Sequence, residues 1–568
     1  MSKINVAEYI FKKIADEGVD FLPIYQSGNA LRLIDAVGTN EKLKEFVNYH
    51  EQASGLSAEA YARFKKLGAC LVGSGPAATN LSTAIMSAYC DSIPTIFITG
   101  QVGMFHNKLD RKIRQRGFQE VDVAEHMKPI AKYSKLVKNV EDIRYEIEKS
   151  IYLAINGRPG PVVLDIPYNI QIAEIDPGDL KPYNPEDDEE NNLNLNNLDD
   201  SLFESILDKI KNSERPIMLF GGGIKSVKNI DDILKFINKL KLPVVTTWAA
   251  TDVLDFYHIH NLGNIGRSGN RSAIYAVQES DLLLSIGSRF TTKIITDEKK
   301  FAKDAHIIGI DIDKGELEEG LINIDTKIIA DIKEFVPKFT DYLDKTNTNL
   351  ILKEEWNSKI ENHKNNNFII DETLENLKPN CVSPYYFMKK AFEIADNTAI
   401  FIPDAGMNIT WTYQGNRLKK GQKIFTGLGA SPMGYALPAA IGAYYATHSN
   451  QVIVIAGDGG FQMNIQELEA LHFHNIPIKI FIMNNESLGN TIFPSKRMFE
   501  GRTTGNDNVG GYGWPDFVDV AKAYKIKSLR FSSHNDIDQN LSEILNSDSP
   551  YLVDVKLDPD QFMLDTPI

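Results

Sequence analysis

Two polar residues follow neighbouring apolar runs near the C-terminal end of the chain. The run at 452–456 leads into the letters GDGG, which contain Asp458, and the run at 478–483 leads into NNES, which contains Asn485. The two residues are 27 positions apart. Carboxylate and amide oxygens are hard ligands of the kind that Mg²⁺ accepts together with phosphate oxygens. The pattern therefore predicts a divalent cation site that anchors a phosphorylated ligand.

This chemistry requires both residues to lie at the tips of adjacent parallel strands. Both apolar runs are short and β-branched, and the residues after the glycines, 461–473, have helical length. In such a β-α-β unit the strand ends meet at one edge of the sheet, where ligands bind. Glycines let backbone N–H groups approach a phosphate at the helix N-terminus. In an alternative interpretation, Asp458 only caps the helix and Asn485 only begins a turn.

The same alternation of short strands and helix-length stretches runs along the whole chain and predicts parallel α/β sheets. Two segments interrupt it: 176–200 is rich in proline, asparagine and acidic residues, and 344–371 is rich in asparagine, lysine and glutamate. Such compositions are typical of linkers. We therefore predict three doubly wound parallel-sheet domains, at residues 1–175, 190–345 and 370–568.

The first and third of these domains share a local pattern. A glycine-rich turn at 73–75 and another at 457–459 each follow a strand, and each is followed 17 or 18 residues later by Ile-Pro and a further strand. Because any β-α-β unit has some of these features, similarity of a general kind is the alternative. We predict two related domains that flank a different one.

The composition excludes several classes of function. Of the 568 residues, 43% are hydrophobic and 24% are charged, which is typical of a globular protein with sizeable cores. A net charge of -15 disfavours nucleic acid and anionic membrane surfaces as partners. The three cysteines are too few for a disulfide framework, and no apolar run is long enough to span a membrane. We expect a cytoplasmic protein.

Several segments form a recognisable set that extends over nearly the whole chain. The set comprises HEQASGLSAEAYAR (50–63), GSGPAATN (73–80), ITGQV (98–102), GRPGPVVLDIP (157–167), GGG (221–223), GLGASPMGYALPAAIGA (427–443) and GDGGFQMNIQELEALHFHNIPIKIFIMNNESLGN (457–490). It resembles the thiamine-diphosphate-dependent enzymes, and most closely their acetolactate synthase branch. The resemblance implies a pyrimidine-binding, a central Rossmann-like and a diphosphate-binding domain.

The resemblance also assigns residues to the cofactor. It implies that Asp458, Asn485 and the carbonyl group of Ser487 bind Mg²⁺. Further positions that it implies in binding thiamine diphosphate are Gly406, Asn408, Gly429, Gly457, Gly459, Gly460, Leu488 and Gly489.

Activation of the cofactor requires a carboxylate that is shielded from water and hydrogen-bonded to the aminopyrimidine ring. The resemblance implies that Glu51 is this catalytic group, whereas a surface or salt-bridged glutamate is the alternative. It implies that Met433 holds the cofactor bent, although a core methionine would look the same in sequence. Because Glu51 and Asp458 belong to different domains, similar enzymes complete the site across a dimer interface, which implies a homodimer or homotetramer.

The branch suggests the reaction: a 2-keto acid, for which we propose pyruvate, is decarboxylated and its two-carbon unit is transferred to a carbonyl acceptor. Gln119 matches an active-site glutamine, with a loop amide as the alternative. Pro494 replaces the tryptophan that selects acceptors in the synthase, and Met407-Asn408-Ile409 replaces its Gln-His-Gln diphosphate contact. The middle domain keeps only part of the flavin pattern, so the sequence leaves FAD binding open.

A cluster of cations precedes Gln119 in this acidic chain. The stretch KLDRKIRQR at 108–116 carries five cations and one acid. A solvated loop is the plain interpretation. The hypothesis of function is that Arg114 and Arg116 bind an anionic acceptor, such as a phosphorylated or nucleotide-linked keto sugar. Two other functions stay open: a non-oxidative decarboxylase or C–C hydrolase of this family, and a non-catalytic nucleotide-binding relative.

Overall fold

We describe a computed structural model of the protein, which covers residues 3–188, 194–295, 297–365, 377–561 and 563. Three six-stranded sheets form the framework, and every strand pair within them is parallel. A short antiparallel pair, β1 with β8, ties the N-terminus to the end of the first domain. The prediction of three parallel-sheet α/β domains is therefore confirmed.

The strands are short, as expected for buried parallel sheets. Their bounds are β1 (Ile4–Asn5), β2 (Phe21–Ile24), β3 (Lys44–Val47), β4 (Gly68–Val72), β5 (Thr95–Gln101), β6 (Tyr133–Leu136), β7 (Val162–Pro167), β8 (Glu174–Ile175), β9 (Pro216–Phe220), β10 (Val244–Thr246), β11 (Asn261–Asn264), β12 (Leu282–Ile286), β13 (His306–Asp311), β14 (Thr326–Ile329), β15 (Ile400–Pro403), β16 (Lys423–Ile424), β17 (Val452–Gly457), β18 (Lys479–Asn484), β19 (Lys527–Phe531) and β20 (Tyr551–Lys556).

Strand order distinguishes the middle sheet from the two outer ones. The first sheet runs β3-β2-β4-β5-β7-β6 and the third β16-β15-β17-β18-β20-β19, so both have the order 2-1-3-4-6-5 counted from their own first strand. The middle sheet runs β11-β10-β9-β12-β13-β14, which is the 3-2-1-4-5-6 order of dinucleotide-binding folds. The shared order supports the prediction of two related domains that flank a different one.

Helices connect the strands and cover the sheet faces. Their bounds are α1 (Val6–Asp16), α2 (Leu31–Gly38), α3 (Glu51–Ala62), α4 (Pro76–Asn80), α5 (Ser82–Asp91), α6 (Val123–Met127), α7 (Ile143–Ile155), α8 (Tyr168–Gln171), α9 (Asp200–Asn212), α10 (Ile230–Leu240), α11 (Arg271–Glu279), α12 (Lys314–Glu318), α13 (Ile332–Lys345), α14 (Glu354–Asn365), α15 (Pro384–Ile394), α16 (Met407–Gln414), α17 (Ala436–Thr447), α18 (Asp458–Gln462), α19 (Leu468–His474), α20 (Gly489–Met498), α21 (Phe517–Ala523) and α22 (His534–Leu545).

Among the described residues, none of these helices has the length and apolar character needed to cross a membrane.

The first and third domains share one hydrophobic core, because α3 of the first packs tightly on α17 of the third. Both helices are rich in alanine, serine and glycine, so their backbones can come close. At Gly442 a Cβ atom would overlap the carbonyl oxygen of Ser57, and the Ser57 hydroxyl donates to the carbonyl of Pro438 over 2.8 Å. The small residues of the 50–63 and 427–443 segments are therefore needed for this interface.

Helix α14 corrects one expectation about the linkers. The second predicted linker, 344–371, contains this helix, although its residues from 366 on lie outside the described part of the chain. Trp356 of α14 is fully buried in the middle domain, and its indole N–H donates to the carbonyl of Pro216 over 3.2 Å. The mostly polar composition concealed a helix that is fixed by one large aromatic side chain.

Candidate active site

Asp458 is the first residue of α18, directly after β17, and only 1% of its surface is exposed. Its Oδ1 accepts a hydrogen bond from the N–H of Gly459 over 2.7 Å, and its Oδ2 accepts one from the N–H of Ser487 over 3.2 Å. Burial raises the pKa of Asp458 to about 7 despite these bonds. A nearby cation would favour the ionised carboxylate at this position.

Asn485 and Ser487 lie in the turn after β18, which pairs with β17 in parallel. Both are buried, and the Asn485 Nδ2 donates to the Ser487 hydroxyl over 3.0 Å. The structure thus brings Asp458, Asn485 and Ser487 together at one sheet edge. Within the described part of the chain, no three His, Cys, Asp or Glu side chains form a metal-binding group. A cation here would therefore need amide, carbonyl or phosphate oxygens beside the single carboxylate.

Gly459 faces side chains from three other segments. A Cβ atom at this position would collide with Leu488 Cδ2, and it would lie 3.0 Å from the Tyr512 hydroxyl and 3.5 Å from Met433 Cε. A side chain at position 459 would therefore displace Leu488, and glycine avoids this contact. The predicted helix over 461–473 is broken, since α18 ends at Gln462 and α19 begins at Leu468.

The N-terminus of α16 completes this edge. Gly406 precedes the helix with a φ of 98°, a conformation that favours glycine. The Asn408 Nδ2 lies 2.9 Å from the Cβ position of Gly457, and a Cβ at Gly489 would lie 2.7 Å from Asn485 Nδ2. The Asn408 Oδ1 is buried and has no hydrogen-bond partner among the described residues. Such an orphaned polar atom is expected where a ligand binds.

Asp404, at the end of β15, was not among the predicted residues. It is fully buried, and its carboxylate accepts hydrogen bonds from the N–H groups of Ala405, Gly434 and Ala436 over 2.7, 3.0 and 3.1 Å. Burial raises the pKa of Asp404 to about 6. Because Gly434 directly follows Met433, Asp404 positions that methionine. An acid just after a predicted strand, two positions before Gly406, was the available signal.

Glu51 is the first residue of α3, at the edge of the first sheet. Its side chain is half-buried, and its Oε2 accepts a hydrogen bond from the Asn80 amide over 2.9 Å. The residues just before it are held by Glu467 of the third domain, whose carboxylate accepts from the N–H of Tyr49 and from the Asn48 amide, both over 2.9 Å. Burial raises the pKa of Glu467 to about 7. Glu467 was also missed by the sequence analysis.

Gln119 lies beside the glycine-rich turn of the first domain. It has a φ of 61° and is exposed, and its carbonyl group contacts Gly75 closely. Glu120 fixes the preceding stretch: its carboxylate accepts from the backbone N–H groups of Lys108, Arg116 and Gly117. Burial acts to raise the pKa of Glu120, but the three hydrogen bonds together outweigh it, so the pKa lies below its usual value.

Five cations of this stretch, 108–116, face one acid within it, Asp110, and the nearby Glu120 carboxylate interacts with the charge of Lys108. The Arg114 side chain is exposed, and the Arg116 guanidinium lies 4.9 Å from the ring centre of Phe105. Among the described residues, none of the five cations forms a salt bridge with a carboxylate.

Comparison with known proteins identifies the family of this chain. Three models of one family match the chain in order. The model "Thiamine pyrophosphate enzyme, N-terminal TPP binding domain" matches residues 4–126, the model of the central domain matches 203–339, and the model of the C-terminal TPP binding domain matches 404–555. A probable acetolactate synthase large subunit from Methanococcus aeolicus is 33% identical, over 98% of this chain and 92% of the relative. The chain belongs to the acetolactate synthase-like thiamine pyrophosphate enzymes.

Other relatives of this thiamine pyrophosphate enzyme have the same extent. An acetolactate synthase large subunit from Lactococcus lactis is 31% identical over 98% of this chain and 93% of its own. The chloroplastic acetolactate synthase 1 of Zea mays is 29% identical over 97% of this chain and 85% of its own. The protein is thus an enzyme of this family, with two domains that bind thiamine diphosphate. The predicted resemblance is confirmed.

A buried ionic network in this thiamine pyrophosphate enzyme joins its two cofactor domains. Arg63 of the first domain forms ion pairs with Glu59 and, over 2.7 Å, with Asp91. Asp91 also accepts hydrogen bonds from the N–H groups of Leu428 and Gly429 over 2.9 and 2.8 Å. Gly429 therefore contacts the first domain, and the structure does not place it among the residues that surround Asp458.

The middle domain of the enzyme has its glycine-rich turn after β9, at the point where strand order reverses. The N–H groups of Gly221 and Gly223 donate to the carbonyls of Ile286 and Gly287 over 2.9 and 3.0 Å. These donors are used within the protein.

Proposed function

We propose that this enzyme decarboxylates pyruvate and transfers the two-carbon unit to a carbonyl acceptor, which we infer to be an anionic keto sugar. When bound, thiamine diphosphate supplies the electron sink that decarboxylation of a 2-keto acid requires. The names of the relatives support carboligation, and the cationic stretch at 108–116 supports the acceptor class. We also propose domain limits of 1–175, 190–345 and 370–568, and a location in the cytoplasm.

Residues of the third domain would bind the diphosphate and Mg²⁺. In this proposal Asp458, Asn485 and the Ser487 carbonyl are metal ligands, and the Asn408 amide oxygen can accept a hydrogen bond from an N–H or O–H group of the bound cofactor. The support is their proximity at the β17 and β18 ends and the burial of the carboxylate. Further binding positions are Gly406, Gly457, Gly459, Gly460, Leu488 and Gly489, and Met433 would support the bent cofactor. Gly429 stays a prediction from the resemblance.

Glu51 would hold the proton at the pyrimidine ring. As the side chain is only half-buried in one chain, the proposal includes a homodimer or homotetramer in which a second subunit covers it. Sedimentation equilibrium tests this part, and a monomer at working concentration with full activity would contradict it.

The anionic character of the acceptor is inferred from the cationic side chains at 108–116. None of the five cationic side chains beside Gln119 forms a salt bridge with a carboxylate within the described part of the chain, in a protein whose net charge is -15. Arg114 and Arg116 would bind phosphate groups of the acceptor, since guanidinium matches phosphate geometry. Gln119, held next to the 73–75 turn, would contact the substrate.

The test is a product analysis combined with charge reversal. Pyruvate is supplied alone, with a neutral ketone or with fructose 6-phosphate as a phosphorylated keto sugar, and products are identified by mass. We expect R114E/R116E to raise the acceptor KM about 10-fold or more while pyruvate decarboxylation is unchanged. Lys138→Glu, an exposed change in the same domain, is the matched control. Unchanged acceptor kinetics would contradict the role of the arginines, and acetaldehyde as sole product would indicate a decarboxylase.

A further inference from the structure

The loop between α20 and α21 forms a compact unit at residues 503–512. The Asp507 carboxylate accepts hydrogen bonds from the Thr503 hydroxyl and from the N–H of Gly510, both over 2.7 Å. Thr503 and Asn506 are buried, whereas Val509 at the tip is exposed. The loop is thus folded around its own side chains and does not lie loosely on the surface.

This 503–512 loop is attached to the beginning of α20. The carbonyl of Asn506 accepts from the N–H of Leu488 over 2.9 Å, and the Asn506 side chain accepts from the Thr491 hydroxyl. Leu488 in turn contacts Gly459. The loop is therefore positioned relative to the turn that contains Asp458.

The last residue of the loop, Tyr512, extends over that turn. Its hydroxyl lies 3.0 Å from the Cβ position of Gly459 and accepts from the Gln462 Nε2 over 3.1 Å. The same Nε2 donates to the carbonyl of Asp458 over 3.0 Å. Since Gln462 acts as donor, the hydroxyl has its own proton to donate elsewhere. A tyrosine hydroxyl has an ordinary pKa of about 10, so this one carries its proton at neutral pH.

We propose that the Tyr512 hydroxyl is a binding residue for the diphosphate of the cofactor, to which it donates a hydrogen bond, and that the 503–512 loop sets its position. Phosphate oxygens are strong acceptors, and a donor directly above the glycine turn faces the place where they would bind. This inference depends on the proposed position of the diphosphate at residues 457–460. Tyr512 would close that site from the side of α20.

The first experiment measures binding without turnover. Calorimetry gives the Kd of thiamine diphosphate and of pyrophosphate, each with Mg²⁺, for the full chain and for Tyr512→Phe. We expect both Kd values to rise about 10-fold, because one hydrogen bond to a charged group is lost. Tyr524→Phe, in the same domain and packed against the core, is the matched control and should bind both ligands as the unmodified enzyme does.

Two comparisons decide how a failure is interpreted. If Asp458→Asn binds pyrophosphate normally, the proposed diphosphate position is wrong; if it loses binding while Tyr512→Phe does not, only the Tyr512 inference is wrong. A rise in the Kd of thiamine diphosphate without a rise for pyrophosphate would also overturn the inference, since the hydroxyl would then contact another part of the cofactor.

The role of the loop is tested by coupling. Asp507→Ala removes the acceptor for Thr503 and Gly510, so it should weaken pyrophosphate binding by displacing Tyr512. Combined with Tyr512→Phe it should then add little, whereas two independent effects would multiply. Multiplying effects would show that the loop does not act through Tyr512.

Discussion

The two cofactor-binding edges of the molecule differ in how complete they are within one chain. At the edge of the third sheet, Asp458 is 1% exposed and contacts residues of α18 and of the turn after β18, all from one domain. At the edge of the first sheet, Glu51 is half-buried and accepts a hydrogen bond from the exposed Asn80. The edge that contains Asp458, our proposed diphosphate site, is thus preformed within one chain, whereas Glu51 in its proposed role would need a second surface to shield it from water.

The largest expected effect is at the preformed edge. Asp458→Ala removes the only carboxylate of the proposed metal site, so we expect thiamine diphosphate binding to weaken by about 10²- to 10³-fold or more. Calorimetry with Mg²⁺ measures this loss. Asp519→Asn, an exposed change in the same domain, is the control. Retention of tight Mg²⁺-dependent binding would show that this edge is not the diphosphate site.

A change at Glu51, on the incompletely covered edge of the first sheet, should lower turnover without weakening cofactor binding. Glu51→Gln keeps the size of the side chain but removes the charge, so kcat should fall about 10²- to 10⁴-fold, as for loss of a general acid or base. The Kd of the cofactor should change little. Glu45→Gln on the exposed face of β3 is the control. Undiminished kcat would refute the catalytic role of Glu51.

Glu467 belongs to the third domain but holds the residues just before Glu51, so its replacement tests how the third domain affects the edge that contains Glu51. Glu467→Gln loses one carboxylate oxygen that accepts from Asn48 or from the Tyr49 N–H, just before Glu51. We expect kcat to fall about 10-fold and the cofactor Kd to stay within about 2-fold, since one hydrogen bond to a charged group is lost. Glu469→Gln is the neighbouring control. A change in the cofactor Kd alone would mean that Glu467 acts on the diphosphate side.

The smallest expected effect is on the pH dependence of stability, to which buried acids of the first and third sheets contribute. Asp165 of β7 accepts from Thr99 and Gln101, and burial raises its pKa to about 7; Asp404 of β15 has a pKa raised to about 6. A raised acid pKa stabilises the native state at low pH, and this contribution is lost as pH rises through the native pKa.

We therefore expect Asp165 to contribute about 2 kcal/mol less to the free energy of unfolding at about pH 7.5 than at about pH 5.5. Urea titrations at both pH values measure the difference, and Asp165→Asn should remove most of it. If the unmodified protein is instead more stable at the higher pH, and Asp165→Asn shows the same difference, groups other than Asp165 determine the pH dependence of stability.

The strands and the positions of Asp458 and Asn485 at neighbouring strand ends could be predicted because their signals are local. Buried parallel strands are apolar runs, and Asp458 and Asn485 each directly follow one. Asp404 and Glu467 were harder to predict, since they accept hydrogen bonds from the backbone N–H groups of Gly434 and Tyr49, which are 30 and 418 residues away. Tyr512 was missed because its loop has no apolar period. Trp356 shows the converse, as one buried aromatic gives a polar segment a fixed place.

The bonds from Asp91 to the 428–429 backbone have a practical consequence for dividing the gene. A fragment that begins at residue 377 would leave two amide groups without their acceptor and would expose the small-residue face of α17 to water. We expect such a fragment to aggregate. The middle sheet has its own cores, whereas the two outer sheets share one and must be transplanted together.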